Sequence, residues 1–493
     1  MTHSLMIQGT ASNVGKSLIV AGLGRILTRR GYKVAPFKAQ NMSLNAGVCG
    51  EGLEMGRAQI LQAFSCGCRP DTRMNPVLLK PDGEGRSEVV LNGQSQGSFG
   101  VREYHAERER WMERVLSSFH SLAKEVDVVL LEGAGSIAEI NLRDVDIVNM
   151  ALAKKIGCPT LLVGNIDPGG VYGALVGCLE LLEPEERSLI RGLVVNRFRG
   201  DESLLEPAHR MVSERTGQPF LGVVPHLEEL NLPEEDSVSF FEPDWGNGRS
   251  QADLDIVVLD YGFVSNINDL EPLGMEGDVR LRKVSQRDEL GAPDVVILPG
   301  SRNVFHSLKR LRDKGLDEAI KLLGKQTHIF GICGGMMLMG EKMVDHEGIE
   351  SDGGGEVEGL GLLPLSTKLD KDKVLRELQG DWNGLGEWRG YEMHHGRILN
   401  ESAKPLAVVD KIGAVAYGDA DGGERRVQGT WVHGLFDHDE FRRSWLNQIR
   451  KSKGLKDWPS PRNWSLESSL DRWADHLDEH LEIPAIMKLM GLD

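Results

Sequence analysis

The stretch Gly9-Thr10-Ala11-Ser12-Asn13-Val14-Gly15-Lys16-Ser17 follows the apolar run Leu5-Met6-Ile7 and opens a segment of helical periodicity. A strand, a turn of small residues and a helix in immediate succession form the first unit of a parallel α/β sheet. The turn also has the chemistry of a phosphate loop. Small side chains at Thr10, Ser12 and Asn13 let the backbone N–H groups close around phosphate oxygens. The helix N-terminus adds positive potential, and Lys16 supplies a point charge. Ser17 carries the hydroxyl expected to face Mg²⁺. Five residues separate Gly9 from Gly15, so Thr10 stands where the common loop has its first glycine.

At 493 residues the chain predicts more than one domain. Residues 1–240 alternate short apolar runs (5–8, 33–37, 126–131, 160–163, 192–195, 220–224) with helical patterns at about 102–124, 171–183 and 204–216. Residues 241–251 (FEPDWGNGRSQ) lack periodicity and read as a linker. A second α/β set occupies 252–493, with strands at 254–259, 295–298, 328–332 and 413–417. The helical tail from about Glu440 is expected to close it. The net charge of −17 argues against general nucleic-acid or membrane-surface binding. Apolar runs stay short of a membrane span. The opening residues leave no room for a signal peptide, and the six cysteines are too scattered for a disulfide scaffold. A reduced, cytoplasmic setting is expected.

Two further constellations carry chemistry. The run 126–131 ends in Glu132-Gly133-Ala134-Gly135, and a carboxylate at a strand's C-terminal end lies beside the phosphate loop in an open sheet. Glu132 is therefore the second Mg²⁺-side candidate, and Lys38, just past the second strand, a candidate to steady transferring phosphate charge. In the second half, His328-Ile329-Phe330-Gly331-Ile332-Cys333-Gly334-Gly335 puts one cysteine on a sharp strand-to-helix turn. Such an elbow forces the side chain out and points the following N–H, that of Gly334, at a developing oxyanion. Gly300, in Leu298-Pro299-Gly300-Ser301, is a second donor candidate, and His433, about one hundred residues on, the candidate base. The other cysteines read as structural, and His394-His395 as packing or substrate contacts, since neighbours on a strand point apart.

The loop spacing resembles that of dethiobiotin synthetases. In order along nearly the whole chain, QGTASNVGKS (8–17), PFKAQNMSLN (36–45), MNPVLLKP (74–81), LEGAGS (131–136), NRFRGD (196–201), EEDSV (234–238), LPGSRN (298–303), GICGG (331–335), GYEMHHG (390–396) and GTWVHGLFD (429–437) resemble the glutamine-hydrolysing cobyric acid synthases. The resemblance implies an ATP-binding amidoligase domain of dethiobiotin synthetase-like fold and a class I glutamine amidotransferase-like domain. It implies ATP with Mg²⁺, glutamine as nitrogen donor, and a corrinoid polycarboxylate as acceptor. Four carboxylates of adenosylcobyrinic acid a,c-diamide would be amidated through acyl phosphates. It further implies phosphate-loop roles through Val14 and Gly15, nucleotide contacts at Asn196 and Arg197, metal-side Asp167, and substrate contacts at Gln40, Asn41, Ser43 and Asn75. The chain departs from the family at Met337, where a glutamine is usual, and at Asn165 and Pro168, and His433 lacks the acidic neighbour of ordinary triads. The sister a,c-diamide synthases share both ends but have a different motif after the second strand. A non-catalytic nucleotide-gated binder would need Cys333 to be vestigial.

Overall fold

The computed structural model describes residues 2–492 except 51, 82–84, 229, 231, 234–245, 247–248, 250, 325, 352, 383, 419–426 and 460–465. The expected linker and the EEDSV stretch thus fall largely outside the described residues. Six parallel strands form the first sheet, in the order Phe220–Pro225, Ile190–Phe198, Thr160–Asn165, His3–Gly9, Val128–Glu132, Val34–Phe37. Side chains alternate across the central strand. Leu5 and Ile7 enter one core with Val20, Leu23 and Trp473, whereas Met6 enters another with Phe37, Trp111 and Leu175. Both faces are covered, which is why these strands read as unbroken apolar runs.

Between the second and third strands of the chain lies an excursion that the apolar runs did not announce. Gln40–Met42, Val77–Pro81, Arg86–Leu91 and Gln94–Gly100 form a separate four-stranded sheet. Ala46–Cys49 pairs with Leu53–Gly56 as a hairpin beside it.

The second sheet has five parallel strands at its centre, Val279–Val284, Leu254–Leu259, Val295–Leu298, His328–Ile332 and Val427–Thr430. Gly413–Gly418 joins antiparallel, beyond the parallel core. Leu365–Trp382 and Gly386–Glu401 make a long antiparallel hairpin whose inner end reaches His433 through the pairing of Tyr391.

The tail divides, correcting the expectation that it closes the second domain. The helix Asp439–Ser452 does pack there, through Phe441, Trp445, Leu446 and Ile449. The helices Leu466–His480 and Ile483–Met490 instead return to the first sheet. The phosphate-loop helix Lys16–Arg29 shares its core with the tail: Trp473, Ala474 and Leu477 belong to the same apolar cluster, and they meet the helix at Leu18 and Gly22. A Cβ on Gly22 would lie 2.4 Å from Leu477 Cδ1, so glycine permits this close approach. Trp473 Nε1 donates to Leu18 O at 2.6 Å. Ion pairs of Arg25, Arg29 and Arg30 with Asp471, Asp475 and Asp478 flank the seam, and those of Arg29 and Arg30, open to solvent, contribute little. Trp473→Ala is therefore expected to cost about 3 kcal/mol or more in urea unfolding. A loss under about 1 kcal/mol, on the scale of a surface change, would show that the returning tail does not hold the first domain.

Candidate active site

The phosphate loop bridges the strand His3–Gly9 and the helix Lys16–Arg29. Asn13 and Gly15 adopt positive φ, 57° and 98°. Gly15 is obligatory on steric grounds, because a Cβ there would sit 2.1 Å from Asn196 Nδ2. Asn196 Nδ2 donates to Val14 O at 2.8 Å, so this side chain fastens the loop from the end of the strand Ile190–Phe198. Thr10 N donates to Val163 O. Lys16 Nζ, buried, donates to Ala11 O and Gly135 O at 3.0 Å each, lying across the loop's mouth.

Glu132 organises the floor. Its buried carboxylate accepts from Ser17 Oγ at 2.8 Å and Lys38 Nζ at 2.8 Å on one oxygen, and from Gln62 Nε2 at 2.6 Å on the other. Ser17, Lys38 and Glu132, chosen from separate motifs, meet here. Gln62 was not anticipated; it sits one turn before the end of the helix Arg57–Ser65, with no motif to mark it. Asp167, half-exposed, is ion-paired with Arg199. Arg197 has φ 59° beside Asn196. Among the described residues no cluster of three or more acidic, His or Cys side chains forms a metal cage.

A cavity of about 570 Å³ opens over this floor, lined by Ser12, Asn13, Lys16, Lys38, Gln40 and Asn41 among others. Gln40 accepts from Tyr104 Oη at 2.7 Å, and Asn41 Nδ2 donates to Gln59 Oε1 at 3.0 Å. Ser43 and Asn75, also expected at substrate, are buried and engage backbone: Ser43 Oγ accepts from Asn45 N, and Asn75 links Lys38 O, Val77 O and Gly56 N.

The second centre is built around a strained residue. Cys333 has φ 51° and ψ −110°, between the strand His328–Ile332 and the helix Gly334–Met339. Such values are uncommon for a non-glycine residue and mark a nucleophile turn. Its flanking glycines make room: a Cβ on Gly331 would lie 2.7 Å from Met336 N, and one on Gly335 1.9 Å from Leu298 O. Gly334 follows Cys333 and abuts Ser301 N, and the Cβ position of Gly300 lies 3.4 Å from His433 Cε1, so one oxyanion candidate adjoins the nucleophile and the other the base.

His433 is oriented by Asp269, whose Oδ2 lies 2.6 Å from Nδ1 and whose Oδ1 accepts from Gly434 N at 2.8 Å. Burial pulls the imidazole's pKa down, but the Asp269 carboxylate and the Cys333 sulfur outweigh it and raise the value to about 10. Tyr391 stacks on the imidazole at 5.4 Å, and Asn266 Nδ2 lies 3.3 Å from its Nδ1. A buried Cys–His–Asp row beside two backbone donors is equipped for acyl transfer through a thioester. Asp269 escaped the sequence reading because it stands 164 residues from His433, in a segment without periodicity.

First-domain backbone closes on this centre. Ala46 N donates to Asn266 Oδ1 at 3.1 Å, and Tyr391 Oη donates to Ala46 O at 2.9 Å. Arg57 pairs with Asp437. The small cavity at Cys333 is lined from both domains, with Leu44 and Lys80 from the first and His394, His395 and Met337 from the second.

Known proteins match this two-part plan. Residues 5–240 match the CobQ/CobB/MinD/ParA nucleotide binding domain, and 255–441 the CobB/CobQ-like glutamine amidotransferase domain. A cobyric acid synthase of Nitratidesulfovibrio vulgaris is 44% identical over 100% of this chain and 98% of its own. The chain belongs to the cobyric acid synthase family. It is thus an enzyme of the amidotransferase ligase type. A cobyric acid synthase of Moorella thermoacetica is 42% identical, covering 100% of this chain and 98% of that one. Among the described residues no helix is long and apolar enough to cross a membrane.

In this synthase-family chain, Asp269→Asn should cut glutamine hydrolysis by about two to four orders of magnitude, as loss of a triad carboxylate does. The substitution also removes what holds the imidazole's pKa up. His433 then loses its charge at a lower pH than in wild type, and the alkaline limb of the pH–rate profile moves down. An unchanged limb would show that Asp269 does not set the protonation of His433.

Proposed function

We propose that this chain uses ATP and glutamine to amidate the b, d, e and g carboxylates of adenosylcobyrinic acid a,c-diamide, giving adenosylcobyric acid. The observation that carries the reading is the closure of a phosphate-loop site and a Cys–His–Asp site on each other through Ala46, Asn266 and Tyr391. A carboxylate resists amines until one oxygen becomes a leaving group, which is work for the first site. Ammonia at neutral pH is mostly protonated, which is reason to release it inside the protein at the second. The cavity of about 570 Å³ over Lys16 and Lys38 suits the reacting edge of a large acceptor beside the reacting end of the nucleotide.

In the first half-reaction Lys16 leaves its two carbonyl partners for phosphate oxygens, and Lys38 balances charge on the transferring group. Ser17 and Glu132 fit Mg²⁺: they offer a hydroxyl and a carboxylate side by side, the sparse protein set this ion takes when phosphate oxygens and water complete its shell. Bound there, the ion would neutralise charge on the phosphate chain. In the second, the Cys333 sulfur attacks the glutamine amide carbon while the N–H groups of Gly300 and Gly334 stabilise the oxyanion. His433 protonates the departing ammonia and then takes a proton from the water that hydrolyses the thioester.

The two half-reactions are separable by choice of nitrogen donor. Cys333→Ser should lose at least about two orders of magnitude with glutamine and retain amidation with concentrated ammonium at mildly alkaline pH. Lys16→Ala should lose amidation with both donors. Product masses from cobyrinic acid a,c-diamide and from cobyrinic acid itself identify the acceptor. Failure of folded Cys333→Ser with ammonia, or amidation by Lys16→Ala at wild-type rate, defeats the two-site reading.

A further inference from the structure

The cavity beside Cys333 contains more charge than acyl transfer needs. Four ionisable side chains line it besides the histidines and Cys333: Lys80, Arg302, Lys373 and Glu350. The three cations are tied to two first-domain carboxylates. Glu54 takes Lys80 at 2.5 Å and Lys373 at 2.6 Å, and Glu88 takes Arg302 Nη2 at 2.8 Å. Glu350 is different. Among the described residues no cation lies within ion-pair distance of it, and its Oε2 accepts only Val304 N, at 2.7 Å.

Glu350 is also held firmly in place. Asp345, fully buried, accepts from the N–H groups of Ile349, Glu350 and Ser351 at 2.9 Å each, which folds the loop around its carboxylate. Asn303 Nδ2 donates to Glu350 O at 3.0 Å. Glu350 keeps some accessible surface, yet the chain around it withdraws enough water to push its carboxyl up to about 7. Its neighbour Arg302 has a buried Nε that finds no hydrogen-bond partner among the described residues. One open acceptor and one open donor, of opposite charge, thus border the nucleophile's own cavity. A buried donor without a partner costs about 1–3 kcal/mol, so its retention points to a ligand.

An amino acid's zwitterionic head matches this pair. In extended glutamine the α-nitrogen lies roughly 5 Å from the amide carbon, given bonds of about 1.5 Å. Cys333, Arg302 and Glu350 line one small cavity together. We propose that Glu350 and Arg302 form the head site for the glutamine that Cys333 attacks, Glu350 accepting from the α-ammonium and Arg302 Nε donating to the α-carboxylate. This rests on the glutaminase reading above. It makes both specificity residues, and it provides a hold on the donor that does not need a glutamine at position 337.

The competing role for Glu350 is only to cap the helix Val304–Asp313. The test therefore measures choice of donor rather than stability. Wild-type enzyme should prefer glutamine over 4-carbamoylbutanoate, which lacks the α-amino group, by more than about 100-fold in kcat/KM. Glu350→Gln, whose Oε1 can still cap Val304, should raise the KM for glutamine about 30-fold or more, keep kcat within about threefold, and lose most of that preference. Its ammonia-driven amidation should match wild type. Arg302→Gln should likewise lose the preference for glutamine over its α-carboxamide. Wild-type enzyme that uses 4-carbamoylbutanoate as well as glutamine, or a Glu350→Gln variant that keeps both KM and preference, overturns the head site alone. No hydrolysis of glutamine by wild type overturns the glutaminase reading and the head site together.

Discussion

The buried carboxylate of Glu132 is the constraint on which the first site depends. A lone charge in that position would be costly, and a partner removed from such a group typically costs about 3–5 kcal/mol. The fold answers by drawing Ser17 from the phosphate loop, Lys38 from the second strand's end and Gln62 from the following helix onto two oxygens. Three segments distant in sequence are thereby registered against one another. The position itself follows from sheet order, since Val128–Glu132 lies between His3–Gly9 and Val34–Phe37, with its C-terminal end beside both motifs.

From Lys38 the chain runs through Gln40 and Asn41 at the large cavity to Leu44 at the small one and Ala46 in contact with Asn266 and Tyr391. Nine residues thus join the floor of one centre to the surroundings of the other's base. This segment is hydrogen-bonded at both ends, so the two centres share a wall rather than a hinge.

How much of this was legible depended on distance along the chain. The helix Lys16–Arg29 was readable at its start, because a glycine-rich turn and an apolar periodicity announce it. The strained turn at Cys333 was readable because Gly331, Gly334 and Gly335 are the local price of that geometry. Glu132 was readable from its place at a strand end. Asp269 was not, since no spacing rule links a carboxylate in an irregular segment to an imidazole on another strand. The excursion sheet and the long hairpin were missed for related reasons: the excursion strands are too short to show a period, and the charged residues of the hairpin blur its alternation. The tail's apolar stripe showed that a face was buried but not against which domain. Asn196 and Asn75, expected at ligands from the resemblance, also hydrogen-bond backbone that holds the loops in place, a role no motif signals.

The returning tail makes the first domain discontinuous, and that has a consequence on the ribosome. Domains ordinarily fold as they emerge, N-terminal first. Here Leu18 waits for Trp473, 455 residues later. At about 5–20 residues per second the wait is roughly 20–90 s. Throughout it, the helix face at Leu18 and Gly22 that Trp473 and Leu477 later cover stands open on an otherwise formed sheet domain. The nascent chain must therefore pass through a sticky, half-clad state while its second domain is being made, and a chaperone that shields that helix face would act on the oldest part of the polypeptide until the youngest arrives.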